Sequence, residues 1–118
     1  MTKSRLRHTI SRWANPAEAE ARDLRRTFTG ADRESIEAAA DRTPVRLRGT
    51  LRTVTLRPRG GVPALEAELY DGTGVLTLVW LGRRRIAGID PGRAIEVSGR
   101  IGSHEGARVI YNPKYELL

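Results

Sequence analysis

The run from Leu65 to Trp80 limits the fold more than any other stretch. Leu65, Ala67 and Leu69 alternate with Glu66, Glu68 and Tyr70, the period of a strand with one dry face and one wet face. Gly72 and Gly74 then supply the positive backbone angles of a tight reversal. In the strand that follows, Leu76, Leu78 and Trp80 share one face and Val75, Thr77, Val79 and Leu81 the other. Both faces are largely apolar, so one of them is either covered by another part of the chain or left exposed.

The period changes near residue 44, which divides the chain into a helical segment, 1–43, and a strand-rich part, 44–118. Leu6, Ile10, Trp13, Ala17, Ala21, Leu24 and Phe28 recur at steps of three or four, one helical stripe. Pro16 interrupts it. Proline disfavours helix at Asn15 but suits a first helical position, and Glu18 and Glu20 follow in the first turns. The pattern predicts a short, frayed first segment, then a helix over about 16–28 that ends at Thr29-Gly30. A second, weaker helix is expected from Asp32 to about Ala40, anchored by Ile36 and Ala40, before Thr43-Pro44.

From Val45 the period is two. Val45, Leu47, Gly49 and Leu51 share one face, and Arg46, Arg48, Thr50 and Arg52 the other, until the apolar parity moves to Val54 and Leu56. A one-residue slip inside a long strand predicts a bulge, which lets the strand curl into both halves of a small barrel. Residues 57–63 form a loop rich in proline and glycine, and 82–92 a connector with one or two helical turns closed by Pro91-Gly92. Strand four is expected over 94–101, with Ile95, Val97, Gly99 and Ile101 inward, and strand five over 107–112, stopped by Pro113. The fold class is therefore mainly β, a five-stranded Greek-key barrel behind a small N-terminal helical segment. Five strands are too few for two good sheets in a sandwich.

With 118 residues, 39% of them apolar, the chain has material for one modest core. Its net charge of +7 favours a polyanionic partner, and no long basic amphipathic face points to a membrane surface. Residues 1–43 carry nine basic and seven acidic side chains and the remainder twelve and seven, so most of the excess lies on the strand-rich part. The sequence has no cysteine, which excludes disulfides and zinc-thiolate sites and fits a reducing cytoplasm. No apolar stretch of signal-peptide length follows the basic first residues and nowhere do about 18 apolar residues run together, so neither export nor membrane spanning is expected.

Several runs are familiar together: Val45 to Leu51; Tyr70-Asp71-Gly72-Thr73-Gly74 with Leu76 to Trp80; Pro91-Gly92 followed by Val97-Ser98-Gly99; and Ile110-Tyr111-Asn112-Pro113-Lys114-Tyr115. Through them residues 45–118 resemble OB-fold nucleic-acid-binding domains, of the type in the wedge domain of the RecG branch-migration helicase and in tRNA anticodon-binding domains. Asn112-Pro113-Lys114-Tyr115 is similar to the His-Pro-Glu-Tyr ending of the wedge, with Asn112 in the histidine position. With its helical leader, the whole chain is similar to small stand-alone OB-fold proteins of actinobacteria. The resemblance implies a ligand lying across strands two and three, between the loop joining strands one and two and the loop joining strands four and five. It brings no motor, since nothing reads Gly-x-x-x-x-Gly-Lys-Ser/Thr.

On that frame the candidate contacts are cations and aromatics. Arg57 and Arg59 rim the first loop, and Arg83, Arg84 and Arg85 form the densest positive cluster, easiest to rationalise beside phosphates. Arg48 and Arg52, with Arg46, line the outward face of strand one, where they extend a basic track or pair with acidic neighbours. Arg108 and Lys114 add charge on strand five and beyond it. Trp80, Tyr70 and Tyr111 are candidates for base stacking; the alternative for Trp80 is packing beneath the N-terminal helices. Glu66 and Glu68 on the outer face of strand two oppose a phosphate ligand. His104, in the second loop, reads as an ordinary exposed histidine.

No catalytic constellation emerges, because His8 and His104 lie in different segments without a nucleophile motif and the carboxylates show no metal-ligand spacing. The expectation is a non-enzyme without cofactor or metal that binds single-stranded or junction DNA, or RNA. The rival is a protein-interaction module, in which the strand-three face and the Leu6–Phe28 stripe form a dimer or dock onto a larger machine.

Overall fold

The helix predicted over 16–28 is present as α1, Pro16–Phe28, in a computed structural model that describes residues 15–30 and 34–118. Asn15 Oδ1 accepts the Glu18 N–H at 3.1 Å, and Asn15 Nδ2 donates back to Glu18 Oε2 at 3.1 Å. This reciprocal cap satisfies one of the first-turn donors, while Pro16 has no N–H to satisfy. At the other end the N–H and Oγ1 of Thr29 both donate to Arg25 O, and Arg25 and Arg26 complement the helix dipole. The start of the Leu6–Phe28 stripe lies outside the described residues; within α1, Phe28 is buried and Leu24 half-buried.

The second helix does not form over its described part, 34–40, where a single turn at 36–38 stands instead. Asp71 Oδ2, Thr73 Oγ1 and Ser35 Oγ accept the N–H groups of Ile36, Glu37 and Ala38 at 2.8, 3.1 and 3.1 Å, much as caps would at a helix start. Ala39 N–H reaches Ser35 O at 3.0 Å, but the Arg42 N–H then turns to Ile101 O at 2.9 Å and draws the chain into the sheet. The buried anchors are Ile36 and Ala39, and Ala40 is exposed.

The strands are β1 (Pro44–Leu56), β2 (Ala64–Tyr70), β3 (Val75–Leu81), β4 (Ala94–Arg100), β5 (Gly102–His104), β6 (Ala107–Tyr111) and β7 (Lys114–Leu117). They form one sheet in the order β5-β6-β3-β2-β1-β4-β7, antiparallel throughout except for the parallel pair β3–β6. Seven strands replace the expected five for two local reasons. The expected strand four breaks at Ile101, where the chain leaves β1 as partner and takes up β6. After β6, Asn112 turns the chain at φ +50, so Pro113 interrupts the strand pattern and β7 adds to the free side of β4. No ladder joins β5 and β7, the ends of this order, so the sheet is not closed by hydrogen bonds among the described residues; along the chain Ile101 alone separates β4 from β5.

The slip in apolar parity along β1 appears as a register shift against β2 between Leu51 and Val54. Just before it, a Cβ on Gly49 would lie 2.7 Å from Tyr70 O, so the close crossing of β1 and β2 requires glycine. The connector 82–92 makes turns and no helix, and it buries Ile86 and Ile89. The main core collects Leu47 and Leu51 from β1, Leu69 from β2, Leu76 and Leu78 from β3, and Ile95 and Val97 from β4. On the opposite face of β3, Val79 packs with Ala64 and Val109 in a small second cluster. That face is therefore partly covered, while Val75 and Leu81 on it stay exposed.

Candidate nucleic-acid interface

Three segments meet at one end of the sheet. In the loop between β1 and β2, the Arg57 N–H donates to Ala64 O at 2.9 Å, and Arg59 and Val62 bond each other at 2.9 and 3.0 Å. Beside it the N–H of Gly82, just past β3, donates to Pro63 O at 2.7 Å, which brings exposed Arg83, Arg84 and Arg85 next to the loop. β6 reaches the same end: the Asn112 N–H donates to Val79 O at 2.6 Å, and Asn112 Oδ1 accepts the Leu81 N–H at 2.9 Å. Tyr111 and Lys114 flank that link along the chain. Arg57, Arg59, Arg83, Arg84, Arg85 and Lys114 are thus gathered at one end, from segments 57–63, 81–86 and 111–114 that contain no acidic residue.

Glu66 is the carboxylate that reaches this end. Its Oε2 accepts from Arg59 Nη2 at 3.0 Å, and its Oε1 lies 3.7 Å from Arg57 Nη1. The Arg57 side chain keeps 64% of its surface in water. An exposed ion pair of this kind contributes about 0–1 kcal/mol, so Arg57 exchanges partners readily. Arg59 also lies over Tyr111, with Cζ 5.9 Å from the ring centre, and its Nε is buried with no acceptor among the described residues. Further along the same outer face, Arg52 sits on the Tyr70 ring at 4.3 Å, and Thr53 Oγ1 donates to Glu68 Oε1 at 2.9 Å. Each glutamate that opposes a phosphate in the sequence is therefore engaged by a neighbour.

Among solved structures, a similar fold is seen in the solution NMR structure of a replication factor A related protein from Methanobacterium thermoautotrophicum. The two are 14% identical with a TM-score of 0.53, and the match covers 73% of this chain and 90% of that one. The likeness is one of fold. No protein-family model and no curated protein matches the chain.

Three of the expected contact residues are placed elsewhere by the structure. Trp80 is 5% exposed, donates its indole N–H to Pro113 O at 3.1 Å and meets the Tyr115 ring edge-on at 5.9 Å. Its face is closed to a base, and the segment after β6 packs it. Arg108 gives Nε to Asp41 at 3.1 Å, Nη1 to Ile36 O at 2.7 Å and Nη2 to Ala39 O at 2.8 Å, which staples segment 36–41 to β6. Arg48 Nε bonds Glu96 Oε1 at 2.9 Å across the β1–β4 ladder, with Arg46 4.0 Å from the same carboxylate. Arg57, Arg59, Arg83, Arg84, Arg85, Tyr111 and Lys114 remain together, and Arg52 continues the track. His104 lies in the β5–β6 turn, at the opposite end of the sheet, 3.7 Å from Glu105.

Two residues outside the expected set fix the path of the chain, Asp71 at the β2–β3 turn away from the arginine end and Asn112 beside it. Asp71 is fully buried; its Oδ1 accepts from the N–H and Oγ1 of Thr73 and the N–H of Gly74, and its Oδ2 from Ile36. The Asp-Gly-Thr-Gly run signals the local half of this, an Asx turn, but not the bond to Ile36. Asn112 is the other, and its αL backbone is a role asparagine tolerates well. Among the described residues no group of three or more histidine or acidic side chains is placed to hold a metal ion, and no helix is long and apolar enough to cross a membrane.

Proposed function

We propose that the protein binds nucleic acid without catalysing a reaction on it, through an OB-type barrel whose phosphate-binding surface is the arginine end of the sheet. The observation that carries the reading is the gathering of six cations there with Glu66 as their carboxylate neighbour. Such a density of guanidinium groups is stabilised by a polyanion and repels itself otherwise. A fold shared with a replication factor A related protein favours the same class. The likeness of residues 45–118 runs to helicase wedge domains and to tRNA anticodon-binding domains alike, so single-stranded or forked DNA and RNA stand together as ligands. No cofactor, metal or bond-breaking step is involved.

The test is fluorescence anisotropy at low salt with single-stranded DNA, single-stranded RNA, duplex and forked DNA. Binding to at least one is expected, as is its loss when Arg83, Arg84 and Arg85 are all changed to glutamate. Absence of binding to all four, or binding that survives the triple change, overturns the proposal. A second reading, a protein-interaction module, draws on Leu56, Val62 and Leu81, which are 49%, 46% and 41% exposed at the same end. Self-association seen by mass measurement in nuclease-treated protein is the result that favours it.

A further inference from the structure

Resting on the nucleic-acid reading above, we infer that this surface holds the sugar–phosphate backbone and leaves the bases unread, because its tyrosines carry arginines where a base would stack. An aromatic side chain binds a base through an open ring face. Trp80 has none, and Tyr115, 42% exposed on the edge strand β7, is the register partner of inward-facing Val97 and meets Trp80 at 84°, so it lies off the outer face. On the outer face of the sheet, Tyr70 lies under the Arg52 guanidinium at 4.3 Å and Tyr111 is faced by Arg59 at 5.9 Å. Both tyrosines are thus used as supports for cations.

A guanidinium held against a ring by cation–π attraction keeps its N–H donors in its own plane, free to meet phosphate oxygens in paired hydrogen bonds. Arg52 has no carboxylate partner among the described residues, so the ring alone orients it. The Arg52 pair stands near the β2–β3 turn, since Thr50 is the partner of Tyr70, and the Arg59 pair near Glu66, the partner of Thr55. Four steps along the strand lead from Glu66 to Tyr70, about 13 Å. The face therefore offers two ring-supported arginines in line with the arginine end, a track for successive phosphates on which Tyr111, 41% exposed, is the ring the abasic comparison tests most directly.

The experiment is equilibrium anisotropy on the full chain with three single-stranded probes matched in length. One is natural DNA, one is abasic with the same phosphates, and one carries the same bases on an uncharged methylphosphonate backbone. One stacked base contributes at least about fivefold in affinity. The abasic strand is expected to bind within that margin of natural DNA, and the uncharged analogue not to bind. Tyr70→Leu is expected to weaken natural and abasic strands by the same factor. A larger loss on removing the bases, binding of the uncharged analogue, or a Tyr70→Leu effect confined to the natural strand overturns the inference and leaves the proposed function standing. Failure of the natural strand to bind overturns the inference for DNA, and the proposed function falls with it only when RNA, duplex and forked DNA fail to bind as well.

Discussion

Replacing Arg83, Arg84 and Arg85 together with alanine tests the arginine end most directly. The three side chains are exposed and have no ion-pair or hydrogen-bond partner among the described residues, so their removal leaves nothing stranded. Surface changes of this kind shift stability by only about 0.5 kcal/mol each way. A thermal melt that overlays the parent's therefore checks that any loss of binding is local. The magnitude follows from counterion release, which gives a slope of log affinity against log salt of about −0.7 for each phosphate neutralised on a single strand. If the six cations of the arginine end each neutralise one phosphate, the slope is about −4, and going from about 50 to about 200 mM salt weakens binding about 300-fold. With three cations gone, the slope falls to about −2 and the same change of salt weakens binding about twentyfold.

Anisotropy titrations of parent and triple variant across a salt series read both slopes. Arg48→Ala is the control, because that guanidinium is tied to Glu96 on the β1–β4 side, and its slope is expected to stay with the parent's. The reasoning is refuted by parallel lines, in which the triple variant binds more weakly by a constant factor at every salt. The three arginines would then act through something other than phosphate neutralisation.

Glu66→Gln removes the carboxylate that faces the arginine end; at about 8 Å from a phosphate in water-like surroundings its repulsion is about 0.5 kcal/mol, so affinity should rise about two- to threefold at low salt. A fall in affinity would mean that Glu66 matters more for ordering Arg57 and Arg59 than for repelling the ligand. Asp71→Ala leaves the donors of Ile36, Thr73 and Gly74 without their buried acceptor, and urea unfolding should show a loss of roughly 2–4 kcal/mol; a loss under about 0.5 kcal/mol contradicts the role assigned to that turn. Arg108→Met keeps the aliphatic stem but removes the staple to Ile36, Ala39 and Asp41, so it should cost roughly 1–3 kcal/mol of stability and leave the salt slope unchanged. A reduced slope in that variant would return Arg108 to the binding surface.

What could be read from the sequence is what short-range periodicity controls. The hairpin of β2 and β3, the slip along β1 and the inward set Ile95, Val97 and Ile101 follow from alternation alone. The departures come from partners distant in sequence. Segment 34–40 has the anchors of a weak helix, but its capping acceptors belong to Asp71 and Thr73, more than thirty residues on, and Arg42 is drawn off by Ile101. Trp80 sits in a strand with two apolar faces, and it is held by the carbonyl of Pro113, presented by a turn at Asn112 whose place Pro113 marks but whose direction no local pattern gives. Ile101 keeps the apolar parity of strand four, so nothing at that position marks the change of partner from β1 to β6. Arg108 looks like one more cation until the loop carbonyls of Ile36 and Ala39 are placed beside it.

The arginines are thus divided by which acceptors the fold offers them. Around the β2–β3 turn and segment 34–43, backbone carbonyls outside any ladder are available, and Arg25, Arg100 and Arg108 donate to those of Gly72, Arg42, Ile36 and Ala39. Those guanidinium groups join pieces of chain and are largely lost to a ligand. At the other end, the carbonyls of Arg59, Val62, Pro63 and Ala64 already accept backbone N–H groups that close the 57–63 loop and start the connector. Arg83, Arg84 and Arg85 find no such acceptor and keep their donors for solvent or for phosphate. The net charge of +7 is therefore a poor guide to binding residue by residue. Substitutions of Arg25, Arg100 and Arg108 should register in unfolding experiments, and substitutions at the arginine end in the salt dependence of binding, because the same donors cannot serve the fold and the ligand at once.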